Sequence, residues 1–183
     1  MQKEDKIAIS TISVVNEAIN KSENLETMCT HLTQLLVAAI EIKGCTIFIL
    51  NPETQELENF ASFGLSMSYL NKGPVQTGKS IAATIQGSPV IIQDVNQTDK
   101  LQYLEHAKEE GIGAIVSMPI RFRGSVIGVL RLYHHTAWDL SERDITFLQL
   151  MSDHVGLAMT YTRLSNALQT VKEAVANIHS LWF

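Results

Sequence analysis

One charged residue lies inside an otherwise apolar stretch of the sequence. Arg131 is in the middle of the run 126–133, and strand alternation puts it on the same face as Tyr133. A guanidinium in such a strand needs a carboxylate, a phosphate or water as its partner. Arg131 is therefore predicted to anchor an acidic ligand, or else to form an internal ion pair with Asp94 or reach solvent at a sheet edge.

The other residues that could do chemistry give no catalytic pattern. His134 and His135 are adjacent, so on a strand they point to opposite faces and cannot bind one metal ion together. Cys29 and Cys45 lie in apolar patterns without CxxC spacing, which indicates buried structural thiols. No Ser-His-Asp order and no paired carboxylates stand out, so we expect neither enzyme activity nor a metal site.

Composition limits the class of protein further. With 183 residues, 45% of them hydrophobic and 18% charged, the chain is long enough for one self-sustaining globular domain with additional helix. A net charge of -5 without any Lys/Arg cluster disfavours nucleic-acid binding. The longest apolar run of the first half, 35–40, is far shorter than a membrane span, and the N-terminus lacks a signal-peptide pattern. We therefore expect a cytoplasmic protein that binds neither nucleic acid nor membrane.

Two hairpins are predicted to form the sheet that carries Arg131. Strands over 114–121 and 125–133 flank a tight turn and are almost continuously apolar, which is typical of a sheet covered on both faces. Strands over 45–50 and 57–63 flank a turn-rich connection and form the second hairpin.

Irregular segments between residues 65 and 110 are expected to cover one face of this sheet. Ser80 lies near the start of a short helix. It either caps this helix or directs its hydroxyl and nearby amides into the space over the sheet. A brief strand follows at 90–92, and a helix then begins at Thr98 or Asp99. These segments leave a shallow cavity in which a small molecule can bind.

Two helices are expected before the first strand. Apolar residues at steps of three and four predict an amphipathic helix over 4–20, whose apolar stripe needs a partner. Asn24 is predicted to cap a second helix that ends before Lys43.

The C-terminal part of the sequence predicts one long helix. Ser141 and Asp144 form a near capping box at its start, and apolar residues then follow a heptad pattern to the end of the chain. An exposed seam of that length is unfavourable in water, so we predict a parallel homodimer in which this helix and the 4–20 helix share a bundle. The predicted interface residues are Ile12, Val15, Ile19, Leu150, His154, Leu157, Tyr161, Leu164, Leu168, Val171, Val175 and Ile178. The alternative is that the tail folds back on the N-terminal helix of the same chain.

Four short motifs follow one another in a recognisable order. They comprise Gly78, Ser80, Gly87, Pro89, Val90 and Asp94; then Ser117, Pro119 and Ile120; then Arg123, Gly124, Ile127, Gly128, Val129 and Leu130; and finally Leu140, Ser141 and Asp144. In this order they resemble the GAF domain family over residues 22–162. The resemblance implies an α+β, PAS-like fold with a central six-stranded antiparallel sheet, helices on one face, and ligand-pocket loops and short helices on the other. It leaves 1–21 as an N-terminal dimerisation helix and 163–183 as an extension of the signalling helix.

The resemblance also implies a ligand pocket. Phe63 ends its strand where the family's pocket floor begins, with a core role as the alternative, and Tyr103 and His106 either form a lid or lie solvated. The candidate ligand-binding residues are Phe63, Ser80, Asp94, Tyr103, His106, Arg131 and Tyr133.

The ligand and any cofactor remain unknown at this level. The signature of cyclic-nucleotide-binding members survives only at Asp144, and Cys29 is poorly placed to attach a bilin. Relatives that reduce free methionine sulfoxide use pocket cysteines that this chain lacks beyond Cys45. The resemblance therefore implies a noncatalytic sensory module that binds a small molecule and relays the signal, through a dimeric helical bundle, to a downstream domain or protein. The alternatives are a dimerisation scaffold without a ligand and a free methionine sulfoxide reductase.

Overall fold

The structure, a computed structural model, describes residues 3–22, 24–54, 56–73, 75 and 81–180. The helices are α1 (Ile12–Asn20), α2 (Leu25–Ile40), α3 (Met67–Leu70), α4 (Ala82–Ile85), α5 (Leu104–Glu109) and α6 (Glu142–Ser180). The strands are β1 (Gly44–Leu50), β2 (Leu57–Phe63), β3 (Val90–Ile92), β4 (Ala114–Phe122) and β5 (Ser125–His134). Two short 3-10 helices, Ile9–Thr11 and Val95–Gln97, precede α1 and follow β3.

The described strands form one antiparallel sheet in the order β2-β1-β5-β4-β3, and both predicted hairpins are present. The turn between β4 and β5 has positive φ at Arg123 (50°) and Gly124 (81°), as a two-residue hairpin turn of matching twist requires. Six strands were expected, but the described residues contain five. Val75 forms only an isolated bridge with Leu57 beyond β2, and a single bridge does not make a ladder. The fold is α+β with a five-stranded antiparallel sheet.

Alternate residues of the strands pack on opposite faces of the sheet. On the helix face, Cys45 and Leu130 join the largest core cluster, together with buried residues of α1, α2 and α6. On the loop face, Val129 and Tyr133 join two smaller clusters with residues of α3, α4 and α5. Arg131 lies between Val129 and Tyr133 with the same parity, so its side chain belongs to the loop face.

The first helix begins later than predicted. Residues 3–8 are not helical. The Asp144 carboxylate accepts hydrogen bonds from the backbone N–H of Lys6 (3.0 and 3.1 Å) and of Ile7 (3.0 Å). Because this segment must reach the start of α6, regular helix starts only where the chain turns back to pack on α2 and α6.

The predicted capping box at the start of α6 is confirmed. Ser141 Oγ accepts a hydrogen bond from the Asp144 N–H (3.0 Å), and Asp144 Oδ2 accepts one from the Ser141 N–H (3.2 Å). Asn24 caps α2 as predicted, because its Oδ1 accepts from the Thr27 N–H (2.9 Å). Local side-chain caps therefore fix where these two helices start.

The helix predicted from Thr98 or Asp99 is shorter than expected. α5 begins only at Leu104, and no side chain caps it. Asp94 caps the short 3-10 helix instead, where its carboxylate accepts from the Asn96 N–H (2.9 Å). The capping that the sequence predicted at Thr98 or Asp99 thus occurs at Asp94, four or five residues earlier, and an irregular connection leads into α5.

α6 lies directly on the backbone of β4. Gln149 Nε2 and Ser152 Oγ donate to the Pro119 carbonyl (3.1 and 2.9 Å), and Asp153 pairs with Arg121 (2.8 Å). At Gly156 the approach is closest, because a Cβ there would lie 2.3 Å from the Arg121 carbonyl oxygen. Only a residue without a side chain fits this crossing of helix and strand.

Gly156→Ala should destabilise the protein even though alanine is the better helix former. The propensity gain is about 1 kcal/mol, whereas overpacking against a backbone that cannot rotate away costs about 1–3 kcal/mol. We expect a net loss in the free energy of unfolding, measured by urea denaturation. Ser165→Ala, at an exposed site of the same helix, is the control and should change little. A stabilised Gly156→Ala variant would show that α6 does not approach β4 this closely.

The second half of α6 leaves the body of the domain. From residue 163 to residue 176 every side chain of this helix is exposed. The predicted alternative, in which this tail folds back on α1, is therefore wrong over these residues. None of the helices in the described chain is long and apolar enough to cross a membrane.

Candidate functional site

A row of buried polar residues crosses the loop face of the sheet. Thr46 on β1 pairs with Ser62 on β2 and with Arg131 on β5, and Arg131 pairs in turn with Ser117 on β4. Thr46, Ser117 and Arg131 are buried, and the Thr46 and Ser62 hydroxyls are hydrogen-bonded at 3.0 Å. Arg131 therefore sits near the centre of the sheet, which rules out the expected alternative of a side chain at a sheet edge.

A two-part pocket, which we call the α3 pocket, lies over the loop face beside Arg131. Its larger part has a volume of about 310 Å³ and is lined mainly by Phe48, Leu57, Asn59, Leu70, Val75 and Tyr133. Its smaller part has about 10 Å³ and is lined by Tyr69, Leu101, Gln102, Tyr103 and Arg131. Lys72 and Val75 line both parts. The described lining contains two cations and no Asp or Glu.

Lys72 brings the second positive charge to this pocket. Its Nζ donates to the Tyr69 carbonyl (2.8 Å) and lies 3.6 Å from the centroid of the Tyr69 ring. Burial, and next the Arg131 cation, lower the pKa of Lys72 to about 8, against an opposing effect of Glu110. Two cationic side chains that line the same small cavity make it electropositive, which favours anions.

The tyrosines of the pocket form a rigid aromatic wall. The rings of Tyr69 and Tyr133 meet edge to face with centroids 5.8 Å apart, and both side chains are buried. Burial raises the pKa of both phenols, so both are neutral hydroxyls at physiological pH. The wall offers ring surface and hydroxyl groups without adding a negative charge.

An ion-paired clasp holds α3 in place over the sheet. Ser66 caps α3, with its Oγ accepting from the Tyr69 N–H (3.2 Å). Glu110 accepts from both the N–H (3.0 Å) and the hydroxyl of Ser66, and it pairs with Lys43 at 3.4 Å. Burial opposes ionisation of Glu110, but the Ser66 hydrogen bonds and the Lys43 cation outweigh it and lower the pKa of this carboxyl. The clasp thereby positions the turn that carries Tyr69 and Lys72.

Three of the seven predicted ligand residues come together in the α3 pocket. Tyr103 and Arg131 line its smaller part, and Tyr133 lines its larger part. His106 is exposed on α5, where its ring packs edge to face on Tyr103 at 5.8 Å rather than facing the pocket. Ser80 lies outside the described residues.

Phe63 and Asp94 lie elsewhere. Phe63 is 43% exposed and pairs with Cys45, so its side chain is on the helix face of the sheet. Asp94 lines an open groove along β3 and accepts hydrogen bonds from the Asn96 N–H (2.9 Å) and from Gln97 Nε2 (2.8 Å). The expected ion pair between Asp94 and Arg131 is therefore replaced by local capping.

Comparison with known proteins gives the family of this fold. The family model for the GAF domain matches residues 24–159. The chain belongs to the GAF domain family. No curated protein sequence matches it significantly.

Solved structures share the fold of this GAF domain at low sequence identity. The GAF domain of a phosphoenolpyruvate-protein phosphotransferase from Coxiella burnetii has a TM-score of 0.74 and 18% identity, covering 87% of this chain and 96% of that one. The corresponding GAF domain from Acinetobacter has a TM-score of 0.69 and 19% identity, covering 85% and 94%. A free methionine-R-sulfoxide reductase from Neisseria meningitidis, solved with its substrate, has a TM-score of 0.70 and 14% identity, covering 85% and 89%.

Sequence reasoning missed Tyr69 and Lys72 of this GAF domain. Tyr69 lies in α3, a helix of four residues, and Lys72 follows just after it. A helix this short shows no hydrophobic periodicity. The one usable signal was Ser66 as a cap three residues before Tyr69. Phe48, also missed, follows from strand parity, since it lies two residues from Thr46 and pairs with Val129.

The two thiols are remote from the pocket chemistry. Cys29 on α2 and Cys45 on β1 are fully buried and belong to the core of the helix face. Burial raises the pKa of the Cys29 thiol to about 12, and burial together with Cys29 raises the pKa of Cys45 further. Thiols that stay protonated and inaccessible are poor nucleophiles.

We expect neither thiol to react with Ellman's reagent in the native protein at neutral pH. An exposed cysteine introduced as Ser165→Cys should react at once, and the buried pair should react slower by about two orders of magnitude or more. Both thiols should be released in guanidinium chloride. A rapidly reacting native thiol would contradict the buried assignment and favour redox chemistry.

The histidines form no metal site in the described part of the chain. His134 Nδ1 lies 3.1 Å from the Thr136 N–H, and its ring stacks on Trp138 at 4.9 Å. No group of three His, Cys, Asp or Glu side chains among the described residues is arranged to hold a metal ion. His134 therefore has a structural role at the end of β5.

Proposed function

We propose that this GAF domain is a noncatalytic sensory module that binds a small molecule in the α3 pocket and relays binding through a homodimeric α6. The observation that carries the proposal is the pair of cations, Arg131 and Lys72, at a pocket whose described lining has no acidic side chain. Cationic side chains that line the same pocket favour an anionic ligand.

A binding role agrees with the chemistry of the lining better than a catalytic one. The ionisable side chains of the described lining are an arginine, a lysine and tyrosines. An arginine and neutral phenols hold and orient a ligand, whereas thiol-dependent reduction needs an accessible thiolate. The structural likeness to the sulfoxide reductase is at 14% identity and supports the shared fold alone.

A short path connects the pocket to α6 through β4. Ser117 pairs with Arg131 on the loop face, and two residues further along β4 the Pro119 carbonyl accepts hydrogen bonds from Gln149 and Ser152 of α6. A ligand that changes the position of Arg131 on β5 acts on the neighbouring strand β4, to which α6 is hydrogen-bonded. This supports a relay by a small shift of the helix.

The homodimer is proposed from the apolar seam of α6. Seven of its large apolar side chains are 55–69% exposed: Leu150, Leu157, Tyr161, Leu164, Leu168, Val171 and Val175. Their heptad spacing is typical of a helix that packs on a second helix. His154 belongs to the same seam and is hydrogen-bonded to Asn16 of its own chain at 2.9 Å.

Not every predicted interface residue fits this proposal. Val15 is completely buried within its own chain, so it cannot contact a partner. Ile12 and Ile19 are half-buried and remain available at the edge of the bundle. The side chain of Ile178 lies outside the described residues.

Native mass spectrometry of the purified protein, combined with thermal-shift screening of carboxylates, amino acids and nucleotides, tests the ligand-binding role. We expect a bound small molecule or a stabilising anion, and loss of the effect in Lys72→Gln and Arg131→Gln. Lys100→Gln and Arg123→Gln are matched controls with the same charge change and should keep it.

Two results would contradict the sensory role. If no molecule copurifies and no compound class shifts the melting temperature, the domain is a dimerisation scaffold. Thiol-dependent turnover of free methionine sulfoxide would instead make it an enzyme.

A further inference from the structure

Residues 64–73, which we call the lid segment, form one wall of the larger part of the α3 pocket. The segment contributes Leu70, Lys72 and Gly73 to the lining of this cavity of about 310 Å³. The sheet contributes Phe48 on β1 and Tyr133 on β5. A movement of the lid segment away from the sheet therefore opens this part of the pocket.

Little of the lid segment is buried. Tyr69 is the one buried residue between positions 64 and 73, Leu65 and Leu70 are half-buried, and Met67 is 69% exposed. A segment with few buried apolar contacts opens at a lower free-energy cost than the core of a domain. Helix α3 within the segment has only four residues, and so short a helix does not persist once it is released.

Both ends of the lid segment are glycines with positive φ, 81° at Gly64 and 122° at Gly73. In this conformation a Cβ at Gly64 would lie 2.2 Å from the Lys43 carbonyl oxygen, and a Cβ at Gly73 would lie 2.6 Å from the Tyr103 hydroxyl. Glycine at both ends therefore permits the close approach to the domain and also gives the backbone the freedom of a hinge.

The clasp of Ser66, Glu110 and Lys43 ties the lid segment to the rest of the domain. Glu110 accepts hydrogen bonds from the N–H (3.0 Å) and the hydroxyl of Ser66, and it pairs with Lys43, just before β1, at 3.4 Å. Glu110 is itself fixed at the end of α5, where the Ile112 N–H donates to the Ala107 carbonyl (2.9 Å) and both residues are buried. The clasp thus joins a weakly buried segment to two well-held points.

We propose that the lid segment is a hinged lid on the α3 pocket and that the Glu110 clasp is the latch that keeps it closed. Hydrogen bonds to a charged carboxylate are among the stronger ones in proteins, so the latch sets how often the lid opens. A ligand enters the larger part of the pocket while the lid is open, and its contacts with the lid then favour the closed form. The inference rests on the proposed function for its ligand, but the opening of the lid is a property of the free protein.

Hydrogen exchange of the full chain without ligand tests the latch. Glu110→Ala should accelerate exchange at the amides of Leu70 and Asn71, whose hydrogen bonds lie within the released turn. We expect an increase of about tenfold or more, and a smaller one in Glu110→Gln, which keeps one acceptor oxygen. Glu109→Ala removes an exposed carboxylate of the same helix and is the matched control, with unchanged rates. The amides of β4 and β5 report unfolding of the whole domain and should keep their protection in every variant.

Limited proteolysis with trypsin gives a second measurement. The peptide bond after Lys72 lies inside the lid segment, whereas the bond after Lys100 lies in an exposed connection. Cleavage of a transiently opened segment follows the population of its open form, so cleavage after Lys72 should be about tenfold faster in Glu110→Ala than in the parent protein. Cleavage after Lys100 should not change.

The outcomes separate the lid from the ligand. Unchanged exchange of the lid amides in a folded Glu110→Ala protein overturns the latch. Equal acceleration in the lid segment and in β4 and β5 overturns the lid, because Glu110 then supports the whole domain. Acceleration confined to the lid segment supports the proposal even if no ligand is found, and native mass spectrometry and thermal-shift screening then decide the sensory function separately.

Discussion

Replacing Leu157 and Leu164 of α6 by glutamate should convert a homodimer into monomers. Both side chains are more than half exposed in the single chain, at 55% and 69%, and lie on the heptad seam. Two chains lose four buried leucines, each contributing about 1.5 kcal/mol or more, so association weakens by about 6 kcal/mol. That corresponds to about four orders of magnitude in Kd. Light scattering should give the 20.3 kDa mass of one chain for the variant and twice that mass for the parent protein.

The matched control places the same charges on the opposite side of the same helix. Asn166→Glu combined with Gln169→Glu changes exposed positions outside the seam and should leave the dimer intact. Both double variants should remain folded, with the circular dichroism of a helical protein. A parent protein with the mass of a single chain at micromolar concentration would show that the seam is not a dimer interface.

The local features of the fold were predictable from sequence, and the reason is physical. Hairpins, caps and positive-φ turns depend on residues within a few positions of one another, as Asn24 with Thr27 and Ser141 with Asp144 illustrate. The start of α1 was not predictable, because Asp144 binds Lys6 across 138 positions of sequence. No periodicity within residues 4–20 reports that contact.

In the candidate site, too, local features were predictable and long-range contacts were not. Arg131 was recognisable because a charge in an apolar strand stands out, and strand parity correctly placed it with Tyr133. Its assumed partner, Asp94, was wrong because local capping of the 3-10 helix competes for that carboxylate. Lys72 reaches the pocket on a single turn, and Glu110 holds this turn through a hydrogen bond to Ser66, 44 positions away in the sequence. No pattern in the sequence indicates such a contact.

Asp144 couples the N-terminal segment to α6. Asp144 is 1% exposed, and its carboxylate accepts hydrogen bonds from the N–H groups of Lys6, Ile7 and Ser141 at 3.0–3.2 Å. One side chain therefore fixes both the first turn of α6 and the segment that leads into α1. A change at this position should act on both helices of the proposed dimer bundle, α1 and α6, at once.

Asp144→Ala should lower the free energy of unfolding by about 4 kcal/mol. Hydrogen bonds to a charged group contribute about 1.5–3 kcal/mol each, and water can satisfy part of the loss at the exposed Lys6. Asp144→Asn retains one acceptor oxygen and should cost about half as much. Urea denaturation measures both values, and hydrogen exchange should show the amides of Lys6 and Ile7 losing protection in both variants.

Glu142→Ala separates this effect from the general preference for acids in a first helical turn. Glu142 lies in the same turn of α6 but is exposed, so its contribution is limited to its interaction with the helix dipole, about 0.3–1 kcal/mol. If Asp144→Ala costs no more than Glu142→Ala, the carboxylate serves only as an ordinary cap. The attachment of the N-terminal segment must then come from the packing of Ile7 and from the Asp5 contacts with Ser141 and Arg143.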